Sequence, residues 1–230
     1  MSLILNIETS TKTCSISIGE NGSLLGFKEI KSEQFVHGEK LHQMIKDLVN
    51  EKKISLSDIS AIAVASGPGS FTGLRIGVAS AKGLAYALNV PLISIITTDL
   101  MVAGYHPKKN IQNAIIFPMI DARRNEVYTA GYNIEKEIIS AVNAQIINEE
   151  FLTSLEKYDQ IYFVGEGASK LYGEIKQSNI VIESFHLNSA SSMIKLSYNK
   201  FLKNQFEDLA YFNPFYLKDF IPHKKNHSPT

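Results

Sequence analysis

A glycine-rich turn, GPGSFTG at residues 67–73, is the part of the sequence that first suggests chemistry. A phosphate-binding P-loop has four residues between its glycines and then Lys and Ser or Thr, because backbone amides and the lysine together surround the phosphates. Here Gly73 is followed by Leu74 and Arg75, and the dinucleotide-binding pattern GxGxxG does not occur either. The sequence therefore predicts a tight turn that begins a helix, with Thr72 as the N-cap, and not a P-loop.

Two acidic residues, Glu8 in IETSTKT and Asp121 in DARRNEVY, each end a predicted strand. In nucleotide-binding folds of the actin and sugar-kinase type, a glycine after such an acid lets the backbone approach the phosphates closely. Thr9 and Ser10 occupy those positions after Glu8, and DARRNEVY offers two arginines without a paired nucleophile and base. A plain polar hairpin is favoured at both places over a catalytic site.

The helix after the glycine turn carries a ridge of small residues at four-residue spacing. Glycine inside a helix costs about 1 kcal/mol relative to alanine, so close approach of a neighbouring backbone is expected to compensate. That neighbour is either another element of the same chain or another subunit, and the sequence leaves both open. Arg75 and Lys82, seven residues apart on one face, are the only charges on the helix. The ridge consists of Gly73, Gly77, Ala81 and Ala85.

Two histidines, His37 and His42, lie on the first predicted helix. Their spacing of five residues separates them by about 140° around the helix, whereas two ligands of one metal ion need an i, i+4 spacing. The sequence therefore predicts no metal site here.

The composition describes a globular protein without a dominant charge. The chain has 230 residues, a hydrophobic fraction of 44% and a formal net charge of zero, so no overall field attracts nucleic acid or an anionic membrane. Its one cysteine, Cys14, has no partner for an internal disulfide, and the N-terminus lacks the pattern of a signal peptide. No apolar run approaches the roughly 20 residues that span a bilayer. These features predict a cytoplasmic protein with no membrane association.

The order of predicted elements suggests an internal duplication within an α/β fold. Residues 3–30 alternate as three antiparallel strands, and two helices and two buried strands follow, so that the first half reads βββαβαβ. Residues 114–133 repeat the hairpin, and residues 160–175 repeat strand, glycine turn and helix. A last helix is predicted at residues 189–204. The expected domains are an N-terminal lobe (1–104), a smaller or degenerate C-terminal lobe (105–222) and a flexible tail (223–230).

Taken together, ILNIETST, GPGSFTGLRIG, DARRNEVY and PFYLKD resemble the TsaB (YeaZ) family, and the match covers nearly the whole chain. The resemblance implies two duplicated lobes of the actin, sugar-kinase and heat-shock-chaperone ATPase superfamily (ASKHA). It also implies a non-catalytic scaffold subunit that forms a heterodimer with TsaD. TsaD, with TsaC and TsaE, makes N6-threonylcarbamoyladenosine beside the anticodon of tRNAs that read codons beginning with A. No cofactor of its own is expected, since the partner subunits use the ATP.

The resemblance further implies where the partner binds. The first two helices of the family form a four-helix bundle with the same helices of TsaD, which makes the ridge, Arg75, Lys82 and His42 the expected interface. TsaD carries the metal-binding pattern HxxxH on its first helix, whereas HGEKLH here has a different spacing, so no metal is expected. Glu8 and Arg75 are the candidate contacts for any residual nucleotide. Contact with TsaE, contact with tRNA through the complex, and a homodimer in the absence of TsaD are also expected.

One alternative belongs to a different class of protein. The same superfamily fold is compatible with a small ATP-dependent kinase or a hydrolase. That alternative predicts ATP affinity in the isolated chain and a loss of turnover on Glu8→Ala or Asp121→Ala.

Overall fold

A computed structural model describes residues 2–32, 36–109, 111–173, 175 and 177–218. The predicted flexible tail, residues 223–230, lies outside these ranges. The strands are β1 (Leu3–Glu8), β2 (Thr13–Glu20), β3 (Ser23–Lys31), β4 (Ile59–Gly67), β5 (Leu92–Ile96), β6 (Ala114–Pro118), β7 (Ile120–Asp121), β8 (Glu126–Tyr132), β9 (Ile138–Ile146), β10 (Gln160–Val164) and β11 (Ile180–Glu183). The α-helices are α1 (His37–Glu51), α2 (Phe71–Leu88), α3 (Thr97–Gly104), α4 (Glu149–Ser154) and α5 (Ile194–Leu202).

Two mixed sheets share one topology. The first has the strand order β3-β2-β1-β4-β5, in which β1 is antiparallel to β2 and parallel to β4. The second has β9-β8-β6-β10-β11 in the corresponding places, with β6 antiparallel to β8 and parallel to β10, while the short β7 pairs with the start of β8. The five-strand order and the strand directions therefore repeat, which confirms the duplicated α/β lobes.

Helices cover the faces of the first sheet. The apolar residues of α1, from Leu41 to Val49, recur at helical periodicity, and the face that they form is buried against this sheet together with α2. A second core, shared between the sheets, contains Ile95, Met101 and Tyr162 from both halves and Met193 from the chain just before α5.

The end of the chain returns to the first sheet. A 3₁₀-helix, Ala190–Met193, leads into α5, and both pack against β1 and β2. The predicted last helix is therefore present as this 3₁₀-helix followed by α5, while the domain boundary at residue 104 stays a prediction.

The second lobe departs from the sequence prediction in two places. Strand β9 was not predicted, since it carries a mostly exposed pattern without alternation. The helix expected within residues 160–175 is only a 3₁₀-helix, Glu166–Leu171. Gly173 has a φ of 85°, a left-handed conformation that does not continue a helix. Among the described residues, no helix is both long enough and apolar enough to span a bilayer.

Candidate interaction site and the two strand-end turns

The N-cap of helix α2 lies two residues earlier than the predicted cap. Ser70 has extended backbone angles, and its hydroxyl accepts a hydrogen bond from the Gly73 amide at 3.2 Å. Ser70 is therefore the N-cap. The prediction of Thr72 is wrong, because Phe71 is already helical and Thr72 lies exposed within the first turn.

The predicted ridge packs inside the chain. Gly73, Gly77, Ala81 and Ala85 are all buried. A Cβ atom on Gly73 would overlap the carbonyl oxygen of Thr9, and one on Gly77 would overlap the Thr9 hydroxyl. That hydroxyl donates to the Gly73 carbonyl at 2.8 Å.

The close neighbour that compensates for these two glycines is therefore the turn between β1 and β2. The expectation that the ridge itself meets a partner is corrected, because its four residues are buried within the chain.

A second series of small residues faces outward on the same helix. Ala79, Gly83 and Ala87 are exposed and again four residues apart. At about 100° per residue, this outer face is displaced from the buried ridge by about 160° around the helix. A Cβ atom on Gly83 would meet no atom of the described residues within 4 Å, and Tyr86 beside it is 80% exposed. Gly83 is thus a helical glycine that no contact among the described residues explains.

The outer face is bordered by α1 on one side. His42 is exposed on α1, and its Nε2 lies 3.1 Å from the Ser80 hydroxyl, so that the two side chains bridge the helices. A shallow groove runs between the helices at this point, and it is lined by His42, Ala79, Ser80, Gly83 and Leu84. The predicted interface residue His42 therefore lies next to the outer face.

The other border is the C-terminal segment, residues 205–218, which runs along α2. The Arg75 guanidinium lies 3.8 Å from the ring centre of Phe71, and its Nε donates to the Tyr216 hydroxyl at 3.3 Å. The Lys82 ammonium donates to the carbonyls of Ala210 and Phe212 at 3.1 and 3.0 Å. Both predicted interface cations therefore hold this segment in place, a role that their spacing on the helix did not indicate.

The carboxylate of Glu8 is enclosed at the end of β1. One of its oxygens accepts a hydrogen bond from the Ser10 amide at 2.7 Å and another from the Ser10 hydroxyl. The other oxygen, Oε2, is buried without a hydrogen-bond partner among the described residues. Burial raises the pKa of Glu8 to about 7, against the lowering effect of the Ser10 hydrogen bonds and with a further increase from the charge of Glu29.

The segment before α5 closes the space above this carboxylate. The Asn188 amide donates to the Ser10 hydroxyl at 3.3 Å, and Ala190 is hydrogen-bonded through its amide to Ser15 and through its carbonyl to Ser17. Glu8 is fully buried as a result. Glu8 therefore has no exposed surface with which to contact a residual nucleotide, whereas a nucleotide contact of Arg75, which is directed towards Tyr216, stays a prediction.

The equivalent turn of the second lobe is open. The carboxylate of Asp121 accepts a hydrogen bond from the Arg123 amide at 2.7 Å and forms an ion pair with Lys170. Lys170 also donates to the carbonyls of Arg124 and Glu126. Both arginine side chains are exposed. The two strand-end acids therefore occupy equivalent places in very different surroundings.

The two histidines of α1 do not converge. His37 is buried, its Nε2 lies 2.8 Å from the Thr11 carbonyl, and burial lowers its pKa, whereas His42 is exposed beside Ser80. Within the described ranges, no three metal-ligating side chains come together. That the chain binds no metal stays a prediction.

The contacts of three groups of residues at these sites have no signal in the local sequence pattern. Thr9, Asn188 and the C-terminal segment all act through contacts between residues far apart in the chain, for example Asn188 with Ser10. What the site offers chemically is a surface of small apolar residues with polar borders, and a basic turn on the other lobe.

The chain is similar to proteins of tRNA modification. A model of the family described as TsaD, tRNA N6-adenosine threonylcarbamoyltransferase, matches residues 32–221. The Escherichia coli tRNA threonylcarbamoyladenosine biosynthesis protein TsaB is 37% identical over 44% of this chain and 43% of its own length. The protein of the same name from Haemophilus influenzae is 28% identical over 96% of both chains.

Solved structures share the fold. YeaZ from Pseudomonas aeruginosa superposes with a TM-score of 0.76 at 23% identity, over 94% of this chain and 100% of that chain. A second Pseudomonas aeruginosa structure, described as similar to the peptidase YEAZ, gives a TM-score of 0.79 at 23% identity, over 95% and 100% of the two chains.

Proposed function

The chain belongs to the TsaD family and, within it, to the TsaB (YeaZ) branch, and from that premise we propose that it is a non-catalytic subunit that pairs with TsaD. In this role it supports the transfer of threonylcarbamoyl to the adenosine beside the anticodon of tRNAs that read codons beginning with A. TsaE and tRNA join through the complex, the partner subunits use ATP, and the chain has no cofactor of its own. The compartment is the cytoplasm.

The observation that carries this proposal is Gly83. A glycine in a helix interior costs about 1 kcal/mol relative to alanine. The turn at Thr9 accounts for Gly73 and Gly77, but no atom of the described residues lies within 4 Å of a Cβ placed on Gly83. Close approach of a helix from another subunit accounts for a glycine at this position.

The surroundings of Gly83 have the character of an interface. Ala79 and Ala87 continue the small surface, and Tyr86 supplies a large exposed aromatic ring. The exposed side of α1 is polar and provides a border, as interfaces commonly have at their edge. The proposed interface is therefore the outer face of α2 with the exposed side of α1, and the buried ridge only supports it from beneath.

Sedimentation velocity of the chain, alone and mixed with the TsaD homologue of the same organism, tests the pairing. We expect a heterodimer that forms at the expense of any homodimer. Gly83→Leu should weaken it roughly tenfold or more, because the side chain blocks close approach, while the monomer stays folded. Asn199→Leu, which places the same side chain on the exposed side of α5, is the matched control and should leave the affinity unchanged.

The outcomes distinguish a wrong interface from a wrong subunit role. Equal affinity of wild type and Gly83→Leu would contradict the interface but not the pairing. Failure of the wild-type chain to bind TsaD would remove the subunit role, and ATP turnover by the isolated chain, measured with Glu8→Ala and Asp121→Ala, would then test the kinase or hydrolase alternative. The enclosure of Glu8 argues against that alternative.

A further inference from the structure

The turn between β7 and β8 holds two of the three arginines in the chain, although the chain has 23 basic residues. Arg123 and Arg124 stand side by side there, and both are exposed. The third arginine, Arg75, is engaged with Phe71 and Tyr216. Lysine serves at the other basic positions, so a property of arginine that lysine lacks is the reason to keep a pair at this turn.

The backbone of this turn favours other residues. Arg123 and Arg124 have φ angles of 66° and 49°, so both adopt the left-handed conformation. Backbone hydrogen bonds between Ala122, Arg123 and Glu126 close a loop of three residues, and asparagine and glycine adopt the left-handed conformation at its first two positions with less strain than arginine. Two adjacent arginines therefore reduce the stability of the turn, and strained positions of this kind tend to persist where the side chains serve a function.

The charges of the two arginines are not neutralised within the described part of the chain. Neither guanidinium donates a hydrogen bond or joins an ion pair there. The charge of Arg123 acts only at a distance, where it lowers the pKa of Tyr128 against the larger effect of burial. The nearby acids have other partners, since Asp121 pairs with Lys170 and Glu126 pairs with Lys218. The turn therefore presents two planar cations that have no charged partner among the described residues, on a protein whose net charge is zero.

We infer that Arg123 and Arg124 bind the phosphate backbone of the tRNA substrate when the chain is part of its complex. Arginine forms two parallel hydrogen bonds to a phosphate, whereas lysine acts as a point charge. Contacts of this kind position an RNA without reading its sequence. This inference rests on the proposed function, because that function makes tRNA the polyanion present at the complex.

Fluorescence anisotropy with a labelled, unmodified tRNA transcript tests the inference. The full chain is used alone and with the TsaD homologue, over a range of salt concentrations. The variant Arg123→Asn with Arg124→Gly should lower tRNA affinity about tenfold and reduce the slope of log affinity against log salt by roughly 1 to 2. Because Asn-Gly relieves the backbone, the same variant should raise the melting temperature by about 2 to 4 °C.

Two further variants separate charge from geometry. Lys108→Asn with Lys109→Gly removes another adjacent pair of exposed cations and should change the affinity by no more than about twofold. Arg123→Lys with Arg124→Lys keeps both charges and should recover only part of the binding.

Four results would overturn the inference: an unchanged affinity and salt slope in the Asn-Gly variant, an equal loss in the lysine control, loss of TsaD association in place of tRNA binding, and competition by millimolar ATP at the same arginines. The third would indicate an acidic protein surface and the fourth a free nucleotide. Association with TsaD is followed in the same samples, so a failure of the proposed pairing is seen separately, and the isolated chain then still reports on the arginines.

Discussion

The turn after β1 and the turn after β6 and β7 occupy equivalent places in two sheets of the same strand order, yet they have opposite surroundings. Glu8 is buried under Asn188 and Ala190, while Asp121 is exposed and paired with Lys170. The first turn is held in the interior by α2 from beneath, because Gly73 and Gly77 let it approach. A duplicated framework thus carries a packed structural turn in one lobe and an open basic turn in the other.

Adding one methyl group beneath the buried turn tests whether the close packing of α2 supports it. Gly73→Ala should lower the free energy of unfolding by more than about 3 kcal/mol, because its Cβ overlaps the backbone carbonyl of Thr9, which cannot rotate away. Urea denaturation measures the effect. The matched control Gly83→Ala has free space and should raise the stability by about 1 kcal/mol. Similar effects of the two substitutions would contradict the packing described for α2.

The pH dependence of stability tests the difference in burial between Glu8 and Asp121. The pKa of Glu8 is about 7 in the folded chain against 4.5 as its ordinary value, so the folded state keeps a proton that the unfolded state releases between these pH values. The contribution of Glu8 to the free energy of unfolding is therefore greatest below pH 4.5, and it decreases by about 3 kcal/mol as the pH rises to 7.

Glu8→Gln should remove this decrease, which denaturation of wild type and variant at several pH values would reveal as a difference between the two curves. Asp121→Asn in the open turn is the matched control and should change the stability by less than about 1 kcal/mol. Parallel curves for wild type and Glu8→Gln would mean that Glu8 is ionised in the folded chain.

The smallest expected effect concerns the cover over the first turn. Asn188→Ala removes the hydrogen bond to Ser10 and should cost about 1 kcal/mol, since the Ser10 hydroxyl stays buried. Amide hydrogen exchange should become faster in residues 9–13 and not in residues 121–126. Unchanged exchange in the first turn would show that Ala190 alone keeps it closed.

The sequence predicted the elements better than their contacts. Alternation gave β1, β2 and most of β3, and helical periodicity gave the buried face of α1, because these patterns are local. Small residues at four-residue spacing correctly indicated a close neighbour of α2. They did not identify Thr9 as that neighbour, and the outer series around Gly83 was missed because it holds only one glycine.

The part of the structure that the sequence did not predict depends on contacts between residues far apart in the chain. Lys82 reaches the carbonyl of Ala210, 128 residues away, and Asn188 reaches Ser10, 178 residues away. No local pattern encodes such pairs. The burial of Glu8 under Asn188, which keeps a nucleotide from reaching it, depends on such a distant contact. The hydrogen bond from Arg75 to Tyr216 is another.

The return of the chain end to the first sheet has a consequence for synthesis. Strands β1 and β2 leave the ribosome well before the 3₁₀-helix at Ala190 and helix α5, which cover one of their faces, and α2 receives the C-terminal segment later still. The first lobe therefore cannot reach its final packing while translation continues, although domains generally fold in order from the N-terminus. Nascent chains arrested before residue 188 should remain sensitive to protease in β1 and β2, and the completed chain should acquire resistance in both lobes together.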